Sequence, residues 1–162
     1  MEYSLYTDVL DVNFFRSKLD ISSTGNEEDV VVFSCDVDDR VCDQEMASEQ
    51  DEYFLMYMAV LEEFGMKIPF TPFEMDVLKF LNVAPSQIRP NSWAFIRGFE
   101  IPCKSLNLEP SVGAFFHFYG IKDVNKGTWI SICARAGKRL FPPYACNFKK
   151  EWQDSSRIQG AP

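Results

Sequence analysis

With 162 residues, 46% of them hydrophobic and 15% aromatic, the chain is long enough to bury a core and too apolar to be disordered throughout. Its net charge of −8 is uneven: residues 1–50 hold 13 acids against 3 bases, whereas from Ser86 onward 11 bases face 5 acids. No uncharged stretch approaches the ~20 residues of a spanning helix, so no membrane span is expected, and Cys35, Cys42, Cys103, Cys133 and Cys146, odd in number and widely spaced, form no CxxC pair.

Met1–Leu19 is broken by Glu2, Asp8, Asp11, Arg16 and Lys18, which does not fit a signal peptide. Free thiols and a reducing, intracellular setting are expected. Residues 1–50 read as an acidic, mostly disordered leader and linker. Tyr3 to Phe15 carry the apolar residues of one short helix, Val30 to Phe33 form a β-branched run that needs a partner strand from elsewhere, and residues 36–52 are too polar to pack. The body, residues 51–153, is expected to be helical. Phe54, Tyr57, Met58, Leu61 and Phe64 recur at helical steps, and Gly65 suits the left-handed cap that follows. Thr71-Pro72-Phe73-Glu74 places a capping Thr, a Pro at N1 and a Glu at N3, with Phe70 and Met75 as the staple. It predicts a helix from Pro72 to about Asn82 with Val77, Leu78 and Leu81 inward.

Ser86-Gln87-Ile88 reads as a single turn between Pro85 and Pro90. Asn91 is the expected cap of a third helix with the stripe Phe95, Ile96, Phe99, Cys103 and Leu106, kinked or broken at Pro102. Pro110 opens a fourth with Val112, Phe115, Phe116 and Tyr119 apolar, ended by Gly120. Trp129 to Cys133 reads as a strand, Arg135 to Lys138 as a turn, and Arg139 to Phe141 as the returning partner. Asn147 to Trp152 starts a last helix, and residues 154–162 are expected to be a disordered tail. The fold class is therefore α+β and mainly helical: a bundle of four to five short helices with a small antiparallel β-hairpin near the C-terminus at residues 128–141.

Catalytic patterns are missing from the sequence. There is no Gly-x-x-x-x-Gly-Lys phosphate loop and no Gly-x-Ser-x-Gly elbow. His117 is the only histidine, so a His-paired metal site cannot be built; a histidine packed at a helix edge is the favoured reading, a general base the other. The cysteines lack the spacing of a zinc knuckle. Ser23-Thr24-Gly25 lacks the aspartate of an aspartic-protease triplet. Asp36, Asp38 and Asp39 lack the glycine and the twelfth-position glutamate of an EF-hand loop, the latter place being Ala47. An enzyme would need Glu62, Glu74 and His117 to converge in one cleft. No cofactor, metal or small-molecule substrate is implied, and the expected partners are protein, including a second copy, or nucleic acid.

For nucleic acid, the candidate residues are Arg89, Arg97, Arg135, Lys138, Arg139, Lys149 and Lys150, though they are scattered along the chain and fit a solvated surface as well. Trp93, Phe95, Phe99, Phe115, Phe116 and Trp129 could stack on bases, but their helical spacing favours a core.

Several segments carry a resemblance: Tyr53-Phe54-Leu55-Met56-Tyr57, Ile68 to Glu74, above all Val77 to Arg97 with its Asn82-Val83-Ala84-Pro85-Ser86-Gln87-Ile88-Arg89-Pro90-Asn91-Ser92-Trp93 centre, then Leu108-Glu109-Pro110-Ser111 and Phe115 to Tyr119. Over residues 53–152 the chain resembles the gypsy-type transposase domain of plant retroelement proteins, and Asp39-Arg40-Val41-Cys42 resembles the segment preceding that domain. The resemblance implies a plant protein of retrotransposon origin with a non-catalytic, structural or protein-interaction role, a gag-like nucleic-acid-binding accessory being the alternative. It transfers no functional residue. Pro102 departs from the apolar helix former expected there, and the sequence ends soon after Trp152 where relatives continue, as a truncated copy would.

Overall fold

The computed structural model describes residues 30–33, 53–124, 129–141 and 155–160. They fall into two units, Met1–Thr71 with Trp152–Pro162, and Pro72–Glu151. The fold is α+β, with four α-helices and two antiparallel sheets among the described residues. The expectations for the leader helix, the 36–52 linker and the helix from Asn147 fall outside them, as do Lys149 and Lys150.

The first unit departs most from the sequence reading. Strand β1 (Val30–Phe33) and strand β2 (Tyr53–Tyr57) both pair antiparallel with strand β5 (Ser155–Gly160), which lies between them. The partner that Val30 to Phe33 requires is thus supplied by the expected tail, whose residues 155–160 form the central strand instead. The register aligns Val32, Ile158 and Phe54 in one row. The helix expected from Phe54 is correspondingly shorter. Its first residues form β2, and only Met58–Glu62 are helical, as α1. The unbroken apolar run Tyr53 to Leu61 fits either period, and strand pairing decides it in favour of the aromatic, β-favouring residues at its start. Gly65 has φ +61°, the left-handed conformation that only glycine adopts without strain, and Met66 N–H returns to the Val60 carbonyl at 3.3 Å. Met56, Tyr57, Met58, Val60, Leu61, Met66 and Ile68 are buried.

In the second unit, helix α2 (Pro72–Leu81) starts at the expected proline. Val77 is buried together with Phe73 and Glu74, while Leu78 and Leu81 are half-buried and Met75 is exposed. A 3₁₀ turn (Pro85–Gln87) follows, where the Gln87 side-chain oxygen accepts from Ala84 N–H at 2.9 Å. Helix α3 (Pro90–Ser105) opens on Pro90, with Arg89 rather than Asn91 at the N-cap. It runs through Pro102 without ending there, because the proline stands only one turn from the helix end. The last turn is closed by Leu106 N–H donating to the carbonyls of Pro102 at 3.0 Å and Cys103 at 3.2 Å.

Helices α2 and α3 end alike. Asn82 (φ 52°) and Asn107 (φ 55°) take the left-handed place, and the next residue donates back five positions, Val83 to Leu78 and Leu108 to Cys103, which satisfies carbonyls the helix leaves open. Helix α4 (Val112–Phe118) is capped by the Ser111 hydroxyl, which accepts from Ala114 N–H at 3.3 Å. Tyr119 and Gly120 do not end it but begin strand β3 (Tyr119–Val124), which pairs antiparallel with β4 (Trp129–Ala134). The hairpin therefore lies one element earlier than expected. Arg135 to Lys138 do make the predicted turn, closed by Lys138 N–H to the Arg135 carbonyl at 3.1 Å, but Arg139 to Phe141 return no strand. Phe141 instead sits over Gly98 of α3, where a Cβ would meet its ring at 3.6 Å.

Aromatic rings form the core of this unit. Phe115 lies 5.8 Å from Phe73, 5.5 Å from Phe99 and 4.7 Å from Tyr119, and Phe95 lies 5.2 Å from Tyr119. This cluster joins α2, α3, α4 and β3, each edge-to-face or tilted pair adding about 0.5–1.5 kcal/mol beyond the area it buries.

Candidate functional site

The segment centred on Ser86-Gln87-Ile88-Arg89-Pro90-Asn91-Ser92-Trp93 turns out to be internal. Ser86, Ile88, Ser92 and Trp93 are at most 1% exposed. Ile88 forms a parallel bridge with Ile130, Arg89 N–H donates to the Ile130 carbonyl at 3.0 Å, and the buried Ser92 hydroxyl accepts from Ile132 N–H at 2.8 Å. Ser92 thus supplies an acceptor to a buried amide of β4, as buried polar groups require. These residues hold one edge of the hairpin.

The basic candidates separate. Arg97 bonds Glu100 at 2.9 Å and Lys104 reaches the same carboxylate at 3.1 Å; Glu100 is 1% exposed. A buried carboxylate requires such partners, so Arg97 is a structural residue. Arg89 is exposed but sits beside Ile130, and Arg135 follows five residues along, about 16 Å at the rise of a strand. Three candidates do come together. Arg135, Lys138 and Arg139 share one exposed turn. Arg135 Nε donates to the carbonyls of Phe116 and Tyr119, each at 3.0 Å, and Lys138 Nζ lies 3.2 Å from His117 Nε2. His117 is exposed at the end of α4, its ring edge-to-face with Phe118 at 5.1 Å, so this turn and the end of α4 make one basic surface.

Of the candidate stacking residues, Trp93, Phe95, Phe99 and Phe115 are buried core, while Phe116 and Trp129 are half-buried. Sequence periodicity missed Phe80. It is 62% exposed and packs on Phe116 with ring centroids 4.8 Å apart. It continues the i, i+4, i+7 row of Phe73 and Val77 at the last turn of α2, and that row was the available signal.

Glu74 is fully buried and His117 exposed, so these two do not open on a common cleft; Glu62 is exposed on α1. Burial raises the Tyr119 phenol above its ordinary value. Cys103 and Cys133 are free thiols. Among the described residues, no group of three or more His, Cys, Asp or Glu could hold a metal ion, and no helix is long and apolar enough to cross a membrane.

The stretch from within β2 to within β3 carries a likeness to a known family. Residues 56–123 match the family described as "Putative gypsy type transposon". This gypsy-type segment contains α1 to α4 together with Phe80, Phe116 and His117, and excludes β4, Arg135, Lys138 and Arg139. Over these residues the chain is similar to that family. Comparison with curated proteins and with solved structures gave no match.

Proposed function

We propose that the chain is a non-catalytic, retrotransposon-derived module that works by binding protein inside the cell, with a second copy of itself as the partner its surface fits best. The observation that carries this reading is the end of α3. Ile101, Leu106 and Leu108 are 50%, 67% and 58% exposed within eight residues, ringed by the exposed Lys104, Ser105, Asn107 and Glu109. Adjacent exposed aliphatics with a polar rim are the surface of a contact, and a two-fold pairing sets the same patch against itself. Six such side chains at roughly 1.5–3 kcal/mol each, set against about 4–15 kcal/mol for association, suit a weak dimer. The buried Glu100 carboxylate and the buried core rings have structural work in this reading, which is consistent with a binding module that performs no chemistry.

Light scattering across a concentration series tests it. The expected result is a mass that climbs towards twice that of the chain, and a Leu106→Glu/Leu108→Glu variant that stays monomeric. A strict monomer at the highest concentration, or a double variant that still dimerises, overturns the reading.

A further inference from the structure

A second surface of Pro72–Glu151 has a different chemistry. Phe80 and Phe116 pack as a tilted pair with 31° between their planes, and Phe80 keeps most of its surface open to solvent. Phe116 is backed by Phe115 at 5.0 Å, edge to face, so the outer ring rests on a supported plate. The Phe116 carbonyl anchors Arg135, and the next residue, His117, meets Lys138. Arg139 follows on the same turn. Basic groups thus adjoin an exposed aromatic face through the backbone of one residue.

Nothing nearby on these elements neutralises them. Helix α4 and residues 129–141 contain no Asp or Glu. On α2, Glu74 is buried, and Asp76 lies 4.0 Å from Lys79.

We propose that this face binds single-stranded nucleic acid, with a base stacked on Phe80 and the phosphate backbone crossing Lys138 and Arg139. An aromatic plate beside uncompensated cations is the combination that holds unpaired bases, whose π-faces are free. In a duplex those faces are stacked on one another, which leaves Phe80 without a partner. The surface is separate from the α3 end invoked for self-association.

Fluorescence anisotropy of the full chain with a labelled oligothymidine, and with a duplex of equal length, tests the proposal. The single strand is expected to bind the tighter of the two. Its log affinity should fall with log salt with a slope of about −1.4, from roughly −0.7 for each of two phosphates. Phe80→Ala should lower the affinity about tenfold without altering the circular dichroism, since the ring is exposed. Lys138→Glu/Arg139→Glu should flatten the salt slope. Equal binding of the duplex, an unchanged affinity in Phe80→Ala, displacement of the oligonucleotide by polyglutamate as readily as by unlabelled strand, or no binding at low salt would each overturn it. The Leu106→Glu/Leu108→Glu variant should keep its affinity per chain, so the dimer and the strand site fail independently.

Discussion

The two sheets are built on opposite principles. In the hairpin, Val124 faces Trp129 across a short connection, and the neighbouring chain supplies its support through Ile88, Arg89 and Ser92. In the three-stranded sheet, Val30 faces Gly160 and Tyr53 faces Gln159, so each pairing closes a loop of more than a hundred residues. Loop-closure entropy grows by only about 0.6 kcal/mol per doubling of length, so the distant sheet costs about 2–3 kcal/mol more to close. What distance removes is the local signal: a hairpin announces itself by runs close in sequence, whereas a central strand recruited from afar is specified mainly by backbone hydrogen bonds.

The largest effect that would break this contrast is expected from Trp93→Ala. The indole is fully buried under the hairpin's supporting segment, and its removal should cost about 3–5 kcal/mol, read as a lower denaturant midpoint with faster amide exchange in β3 and β4. Next comes Ile158→Pro, at the centre of the three-stranded sheet. It removes a ladder donor from a strand paired on both sides, which at about 3 kcal/mol should speed amide exchange in β1 and β2. Ser92→Ala sharpens the comparison more gently. It removes the hydroxyl that accepts from the buried Ile132 N–H and should cost about 1–3 kcal/mol, again by denaturation.

Asn107→Gly should act in the other direction, by up to about 1 kcal/mol, since glycine takes the left-handed place without a Cβ penalty. The smallest effect concerns pH. The Tyr119 phenol is raised by burial, so its contribution is full below pH 10, the ordinary value, and is lost as pH rises from there through the folded value. Tyr119→Phe should flatten that alkaline limb of stability against pH, measured by denaturation at stepped pH.

The sequence was most legible where local rules act alone. Pro72 marked the start of α2, Gly65 the left-handed turn, and Arg135 to Lys138 the turn after β4, since each depends on residues adjacent in the chain. It misled at Phe54 and at Tyr119, where apolar runs satisfy both periods and pairing with a remote or following strand decides. Ser155 to Gly160 gave almost no signal, with Ile158 their single large apolar residue. For the surface, three of the seven basic candidates could be brought together only by folding, because Arg135, Lys138 and Arg139 need the end of α4 beside them. Arg97 was indistinguishable from them in sequence, since nothing in its spacing reveals that Glu100 is buried. Phe80 was missed because spacing places it in the row of Phe73 and Val77 but does not reveal that this row runs out to solvent at the last turn of α2.

The central position of β5 has a consequence for synthesis. About a hundred residues separate Phe54 from Ile158, so at ~5–20 residues per second β2 leaves the ribosome roughly 5–20 s before the strand that will pair with it. Trp129, by contrast, follows Val124 within about a second at the same rate. During that wait β1 and β2 offer bare edges to whatever nascent chain or chaperone is near.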